Sequence, residues 1–426
     1  MNNAFRPVDW AHSTNIYEVN TRQYTSEGTF NSFAKELDRL RDMGVETLWF
    51  MPIHPIGIKN RKGSLGSYYS ISNYRDTNSE FGTVEDFKNL VDKAHTLGFK
   101  ILIDWVANHT AWDHVWTQSH PDFFSKDEHG NFRPPFPDWE DVIHLNYDNR
   151  DLWTKMIDDM RFWVEECNID GFRCDMAHLV PLEFWRAART ELDKIRPSFW
   201  MAETEESRYH EVFEATYTWE FLHKMEAFWR KETLMEGLDS VLLKYNTLFP
   251  AGAMRLFFTS NHDENSHSGS EYERMGSLAK AFAVFCTTWN GIPLIYSGQE
   301  LPNTKRLRFF EKDTIEWTGS YELHGFYKTL LNLHSSHPAM RTGDEAVSTE
   351  RIHVSDEAQV LAFIRRNGER EIFVVLNLLR EIGVSFFIAS DNVNGVFKDV
   401  FTGAIRNFDA DRMLMIPPGG YLVFEK

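Results

Sequence analysis

The stretch IDGFRCDMAH, residues 169–178, sets two opposite charges inside an otherwise apolar run. Ile169, Phe172 and Cys174 belong in a buried strand, yet Arg173 and Asp175 stand two residues apart within it. Successive strand side chains alternate faces, so residues two apart point the same way. Arg173 and Asp175 therefore share a face, where each stabilises the charge of the other. Alone, such a pair reads as a structural ion pair at a strand end. What the other strands carry decides whether it is more.

Similar runs recur along the chain: NIYEVN (15–20), VETLWFMP (45–52), KILIDWVAN (100–108), DGFRCDMA (170–177), SFWMAET (198–204), RLFFTSN (255–261) and IPLIYSG (292–298). VFEATYT (212–218) is a weaker eighth. Between them lie amphipathic segments such as SFAKELDRLRDMG (32–44) and VEDFKNLVDKAHTLG (84–98), both closing on a glycine where a helix C-terminus wants one. Thr83, with Asp86 three residues on, is a helix start. Alternating strands and helices imply a parallel sheet, and eight units over about 300 residues predict a (β/α)8 TIM barrel. No glycine-rich phosphate loop follows any strand, which argues against nucleotide binding.

Two segments break the rhythm. Residues 110–148 contain HPDFFSKDEHGNFRPPFPDWED (120–141), a long polar and aromatic connection of the kind that is usually functional. After residue 337 the pattern turns to alternating runs, QVLAFIRR, REIFVVLNLL and GGYLVFEK, which predict a small antiparallel β-sandwich. The expected division is a barrel from 1–109 and 149–337, an insertion at 110–148 after the third strand, and a C-terminal β domain at 338–426.

With 426 residues, 42% hydrophobic and 25% charged, the chain can bury a sizeable core. A net charge of -18 argues against nucleic-acid and anionic-membrane partners and leaves a neutral substrate unaffected. Cys167, Cys174 and Cys286 form neither a zinc spacing nor a disulfide framework. The first residues, MNNAFRPVDW, show no signal pattern, so the sequence as it stands reads as cytoplasmic. A secreted or periplasmic protein whose signal had been removed would read the same way. Oligomeric state is not legible.

The active site of such a barrel lies at the C-terminal ends of its strands. There the third strand offers Asp104, Asn108 and His109, the fourth Arg173 and Asp175, the fifth Glu203, and the seventh His262 and Asp263. Clustered carboxylates repel and raise one another's pKa, so four strands ending in them call for acid–base work, nucleophilic work or a metal.

At this point the chain resembles glycoside hydrolase family 13, the α-amylase family. DWVANH, GFRCD, MAE and TSNHD are similar to its four conserved regions, in order and at family-like spacing. GVETLWFMPIHP, GSYYSISNY and GIPLIYSGQE resemble its regions on the second strand, the tyrosine-bearing loop and the eighth strand. The resemblance implies Asp175 as nucleophile, Glu203 as general acid/base and Asp263 as the carboxylate that steadies the transition state. It implies His109 and His262 as sugar-binding histidines, Tyr69 as a stacking platform and Asp104 as a support beside Arg173. On this reading Arg173 keeps the pKa of Asp175 low, and the apolar neighbours Trp200, Met201 and Ala202 keep that of Glu203 high. Trp112, Trp116, Phe136 and Trp139 on the insertion are candidates for sugar contact.

Many relatives hold a structural calcium, and Asn108 matches one of its ligands. His144 stands where another ligand is usually Asp, and Leu179 where a His carbonyl is usual. Imidazole suits a hard cation poorly, so no cofactor is expected, calcium elsewhere aside. Met176 and Ala177 lack the Val that often marks α-1,6-specific relatives, which points to α-1,4 bonds. The implied activity is retaining hydrolysis of α-1,4-glucosidic bonds in starch or malto-oligosaccharides. Alternatives on the same fold are a 4-α-glucanotransferase and a cyclomaltodextrinase or maltogenic amylase. A non-catalytic binding relative is the alternative from another class, and the presence of all three carboxylates with Arg173 argues against it.

Overall fold

Eight short apolar strands, each too buried to face water, find their partners by closing on one another. In the computed structural model, which describes residue 5 and residues 7–426, the strands are Ile16–Val19, Thr47–Phe50, Lys100–Val106, Gly171–Asp175, Phe199–Ala202, Ala215–Tyr217, Met254–Phe257 and Ile292–Tyr296. Each pairs in parallel with the next, and the eighth pairs with the first, so the barrel has no edge. The weak run at 212–218 supplies the sixth strand, a three-residue segment that is wholly buried.

Helices follow the expected punctuation. In Val84–Thr96 the Thr83 hydroxyl accepts from the Asp86 amide while the Asp86 carboxylate accepts from the Thr83 amide. The segment 32–44 is less regular than its pattern predicts. It belongs to two short helices, Phe30–Phe33 and Leu37–Asp42, before Gly44 at φ +92° ends the turn.

The connection after the third strand begins with His109–Ala111, which pairs antiparallel with Val142–His144, His109 opposite His144. The ribbon returns the chain to the barrel and fixes the insertion at the strand ends. Trp116 is a correction to the sequence reading: it is buried against Tyr74 and Phe123, with ring centroids at 5.1 and 5.5 Å, and belongs to the core.

The C-terminal part is a six-stranded antiparallel sheet with a separate ribbon, Val384–Phe387 and Met413–Ile416, laid against it. Strand alternation divides its residues between two cores. Val360, Ala362 and Ile364 meet the ribbon side, whereas Leu361 and Phe363 pack on the barrel, Phe363 against Trp289 at 4.9 Å. Next along that inner face comes Arg365, fully buried. It donates to the carbonyls of Trp289 at 3.0 Å and Arg341 at 2.9 Å, and its burial lowers its pKa to about 9. Trp289 caps the helix Ala279–Thr288, so this guanidinium satisfies a helix end that would otherwise be orphaned. Among the described residues, no helix is long and apolar enough to cross a membrane.

Gly171 sets the spacing of the two strands that carry Asp175 and Glu203. A Cβ there would lie 1.8 Å from the backbone oxygen of Phe199 on the neighbouring strand. Backbone cannot rotate away as a side chain can. Gly171→Ala is therefore expected to destabilise the fold at or beyond the upper end of the roughly 1–3 kcal/mol typical of overpacking. Urea denaturation measures it, and a loss below 1 kcal/mol would contradict this close approach.

Candidate active site

Register places the charges. Asp104 of the third strand lies beside Arg173 of the fourth, and Arg173 beside Met201 of the fifth. Arg173 is fully buried and serves three carboxylates rather than one. Its Nη1 donates to Asp104 Oδ1 at 3.0 Å and to Asp175 Oδ1 at 2.9 Å. Its Nη2 stands 2.8 Å from Glu203 Oε2 but off the N–H direction, which makes that contact ionic rather than a formed hydrogen bond. Nε donates to the hydroxyl of Tyr217 at 3.1 Å.

Glu203 has a second anchor. Met176, the residue after Asp175, adopts φ +41°, in the left-handed region that non-glycine residues rarely visit. The turn aims the Met176 amide at Glu203 Oε2, at 2.9 Å. Such strain persists where surroundings enforce it, commonly at functional sites.

His262 is held from both sides. Its Nδ1 meets Glu18 Oε1 at 2.5 Å, and its Nε2 lies 2.7 Å from the Tyr69 hydroxyl and 3.3 Å from Asp263 Oδ2. Tyr69 and His262 are stacked, with rings 5.4 Å apart, and the Tyr69 hydroxyl donates to Asp104 Oδ2 at 3.1 Å. His109 is also buried. The sequence-predicted residues Tyr69, Asp104, His109, Arg173, Asp175, Glu203, His262 and Asp263 thus meet at one end of the barrel.

Burial dominates the electrostatics. It raises the pKa of Asp175 and of Glu203 above ordinary carboxylate values, with Arg173 opposing and Asp263 reinforcing the rise in both. Asp104 is pushed up to about 7 by the same burial. The expectation that Arg173 holds Asp175 low is therefore corrected. One cation shared by three buried carboxylates does not fully compensate any of them. Burial also works against a charge on His262, but Asp263 and Glu18 outweigh it and raise its pKa to about 9. For His109 burial prevails and lowers the pKa to about 4, so that ring is neutral.

A cavity of about 360 Å³ opens onto this cluster, lined by Tyr69, His109, Trp139, Asp175, Glu203 and Asp263 among others. Asp263 is the carboxylate nearest the mouth, its side chain 39% exposed against 8% for Asp175 and 9% for Glu203. Lys62 bridges the rim to the insertion, its Nζ 3.0 Å from Asp141 and 3.2 Å from the carbonyl of Asp138. Of the aromatic candidates on the insertion, Trp139 reaches the cavity, edge-on to His109 and backed by Phe136. Trp112 instead donates to the carbonyl of Glu140.

Sequence reading missed Glu18, Tyr217 and Phe309. Glu18 is the one charged residue of its strand, a signal that alternation could have raised, whereas Tyr217 shares its run with Glu214, Thr216 and Thr218. Phe309, on the loop after the eighth strand, lies parallel to Tyr69 within 12°. Nothing in its local sequence marks it.

The positions that the sequence reading set beside a calcium site carry amide and imidazole donors. Asn108 turns its amide to His109 Nδ1 at 3.2 Å. His144 shares a hydrogen bond with Ser125 at 2.9 Å, and burial lowers its pKa to about 4. Among the described residues no carboxylate hydrogen-bonds to Asn108 or His144, and hard cations prefer oxygen ligands.

Comparison with known proteins follows the same lines. The family model described as "Alpha amylase, catalytic domain" matches residues 11–140 and 136–319. A maltogenic alpha-amylase, AmyB, from Thermotoga neapolitana superposes with a TM-score of 0.89 at 30% identity, covering 98% of this chain and 99% of that one. Alpha-amylase MalA of Haloarcula japonica is 27% identical over 96% of this chain, which spans 62% of that protein's length. An alpha-1,4-glucan:maltose-1-phosphate maltosyltransferase of Picrophilus torridus is 27% identical over 83% of the chain, matching 59% of its own length. A barrel that gathers the carboxylates of the third, fourth and fifth strands around one arginine, matched by this family model over most of its length, belongs to the α-amylase family, glycoside hydrolase family 13.

Proposed function

We propose that the protein is a retaining glycoside hydrolase that cleaves α-1,4-glucosidic bonds in starch-type glucans and malto-oligosaccharides. The observation that carries this reading is the sharing of the Arg173 guanidinium between Asp175 and Glu203 at the floor of the cavity. Retaining enzymes need their two carboxyl groups about 5–5.5 Å apart, and adjacent arms of one guanidinium favour a short separation. Asp175 attacks the anomeric carbon while Glu203 gives its proton to the leaving oxygen. Water activated by Glu203 then releases the sugar from Asp175. The raised pKa of Glu203 suits a group that must be protonated first and basic later. Asp263, at the rim, steadies the positive charge that develops on the sugar ring, and His262, buried beside Tyr69, supports the sugar-binding face. The aromatic faces of Tyr69 and Trp139 suit the apolar face of a glucosyl unit.

Transfer to a sugar acceptor is the second reading, favoured by the likeness to the maltosyltransferase of Picrophilus torridus. The two readings share a glycosyl-enzyme and differ in what intercepts it. Chromatography of products from maltoheptaose, soluble starch, isomaltose and cyclodextrin separates them. Hydrolysis gives shorter products alone, transfer also gives longer ones, and phosphate release from maltose 1-phosphate would mark a maltosyl donor.

Asp175→Asn, Glu203→Gln and Asp263→Asn are each expected to lower turnover of maltoheptaose by roughly a thousandfold or more with the fold retained. Proton NMR in the first minutes should show the α-anomer released first. An Asp175→Asn protein keeping a tenth of the activity, or a β-anomer appearing first, would overturn the assignment.

Arg173→Ala removes the charge that opposes the burial of Asp175, so the pKa of Asp175 rises further. The acidic limb of kcat/KM reports the carboxylate that must be ionised, and it should move to higher pH as the maximal rate falls. Lysine at 173 should restore only part, because a point charge cannot span two carboxylates. An unchanged limb with a lowered melting temperature would make Arg173 purely structural.

We propose also that activity needs no metal, given the donors at Asn108, His144 and Leu179. A metal bound only by the native state raises stability by mass action. Melting temperature in EDTA should therefore stay within a few degrees of that in calcium, and a large drop reversed by calcium would disprove this.

A further inference from the structure

Glu18 is the one carboxylate of the cluster for which neither motif nor mechanism gives a role. It sits on the first strand, beside Trp49 of the second and Tyr296 of the eighth, with no exposure to solvent. A buried carboxylate is costly unless something compensates its charge. Its Oε1 has one partner, His262 Nδ1 at 2.5 Å, and its Oε2 has none among the described residues.

Hydrogen accounting along the chain of contacts fixes what Glu18 does to that ring. The Tyr69 hydroxyl has one proton, and Asp104 takes it. The Tyr69 oxygen, 2.7 Å from His262 Nε2, is then left to accept, so Nε2 carries a proton. Nδ1 faces Glu18, whose pKa burial raises while His262 and Arg173 work to lower it, and Nδ1 carries a second proton when Glu18 is ionised. With Glu18 ionised, both ring nitrogens donate and the ring is an imidazolium.

We infer that Glu18 is a positioning residue that acts through His262: from beneath the site it holds the imidazole as a doubly protonated cation, with Nε2–H fixed between Tyr69 and Asp263 at the sugar-binding face. This deepens the proposed glycosidase reading and rests on it for its catalytic consequence. The raised pKa of His262, to about 9, agrees with the geometry. The ionisable groups around His262 are Glu18 from the first strand, Tyr69 from the second-strand loop, Asp104 from the third strand, Arg173 and Asp175 from the fourth, and Asp263 beside it. Of these, Arg173 opposes the imidazolium and Glu18 and Asp263 favour it. Losing Glu18 therefore lowers the histidine's pKa.

The test is Glu18→Gln, which keeps an oxygen acceptor for Nδ1–H and removes only the charge, with Glu18→Asp as the conservative variant. With 15N-labelled histidine, NMR should find His262 protonated up to about pH 8 in the wild type and titrating at least one unit lower in Glu18→Gln. In the same variant kcat/KM on maltoheptaose should fall about tenfold or more at pH 8 and much less at pH 5.5, giving a new alkaline limb. Glu18→Asp should recover part of the loss at pH 8. A Glu18→Gln protein with the wild-type titration of His262 and an unchanged pH profile, whatever its melting temperature, would overturn the inference. If no glucan is cleaved by the wild type, the parent reading fails while the NMR titration still decides the role of Glu18.

Discussion

The site depends on a guanidinium that cannot reach water. Arg173 is wholly buried and bonded to Asp104, Asp175 and Tyr217, with Glu203 against its remaining arm. Taking such a charge out of solvent costs several kcal/mol, and only an arrangement that satisfies the fork's donors offsets it. The same requirement fixes the carboxylates. Asp104 and Asp175 must lie on neighbouring strands in one register, and Glu203 must come from the next strand at the same height. Barrel closure and site assembly are thus one geometric condition. Slipping a strand by one residue would turn Arg173 out of the barrel and leave three acids uncompensated.

The charges are distributed unevenly, and the unevenness suits the chemistry. Five carboxylates, Glu18, Asp104, Asp175, Glu203 and Asp263, surround two cations, Arg173 and His262. Fewer cations than acids means that protons remain on part of the set near neutrality. A site that must hold one acid protonated and another ionised uses that shortage. The rim position of Asp263 keeps one member of the set in contact with solvent, whereas the three acids paired with Arg173 are screened from it.

Most of this was legible in the sequence because strand-end residues are local. The eight apolar runs marked the eight strands, even the short sixth, and the residues just beyond them marked the site. What escaped was set by contacts between distant positions. Glu18 reads as one polar residue in NIYEVN, because its partner His262 is 244 positions away. Trp116 was placed with the sugar-facing aromatics because it lies on the insertion, but position on a segment does not say which face packs inward. The pKa of Asp175 was misjudged for a similar reason. The neighbouring charge two residues away was visible, whereas the burial around it came from other strands. The segment 32–44 broke into two helices because periodicity records a shared face and not an unbroken axis.

The arginine at the far end of the molecule has a consequence of another kind. Arg365 belongs to the C-terminal sheet, yet besides the carbonyl of Arg341 it satisfies that of Trp289 on the barrel. The strand that follows Trp289 is the eighth, and it meets the seventh through only two residue pairs, Ile292 with Leu256 and Pro293 with Phe257. Only the junction of the fifth and sixth strands is as thin, and the appended sheet is fastened just before the eighth strand. The terminal sheet is thereby tied through Arg365 and Phe363 to the segment that leads into the last strand of the barrel.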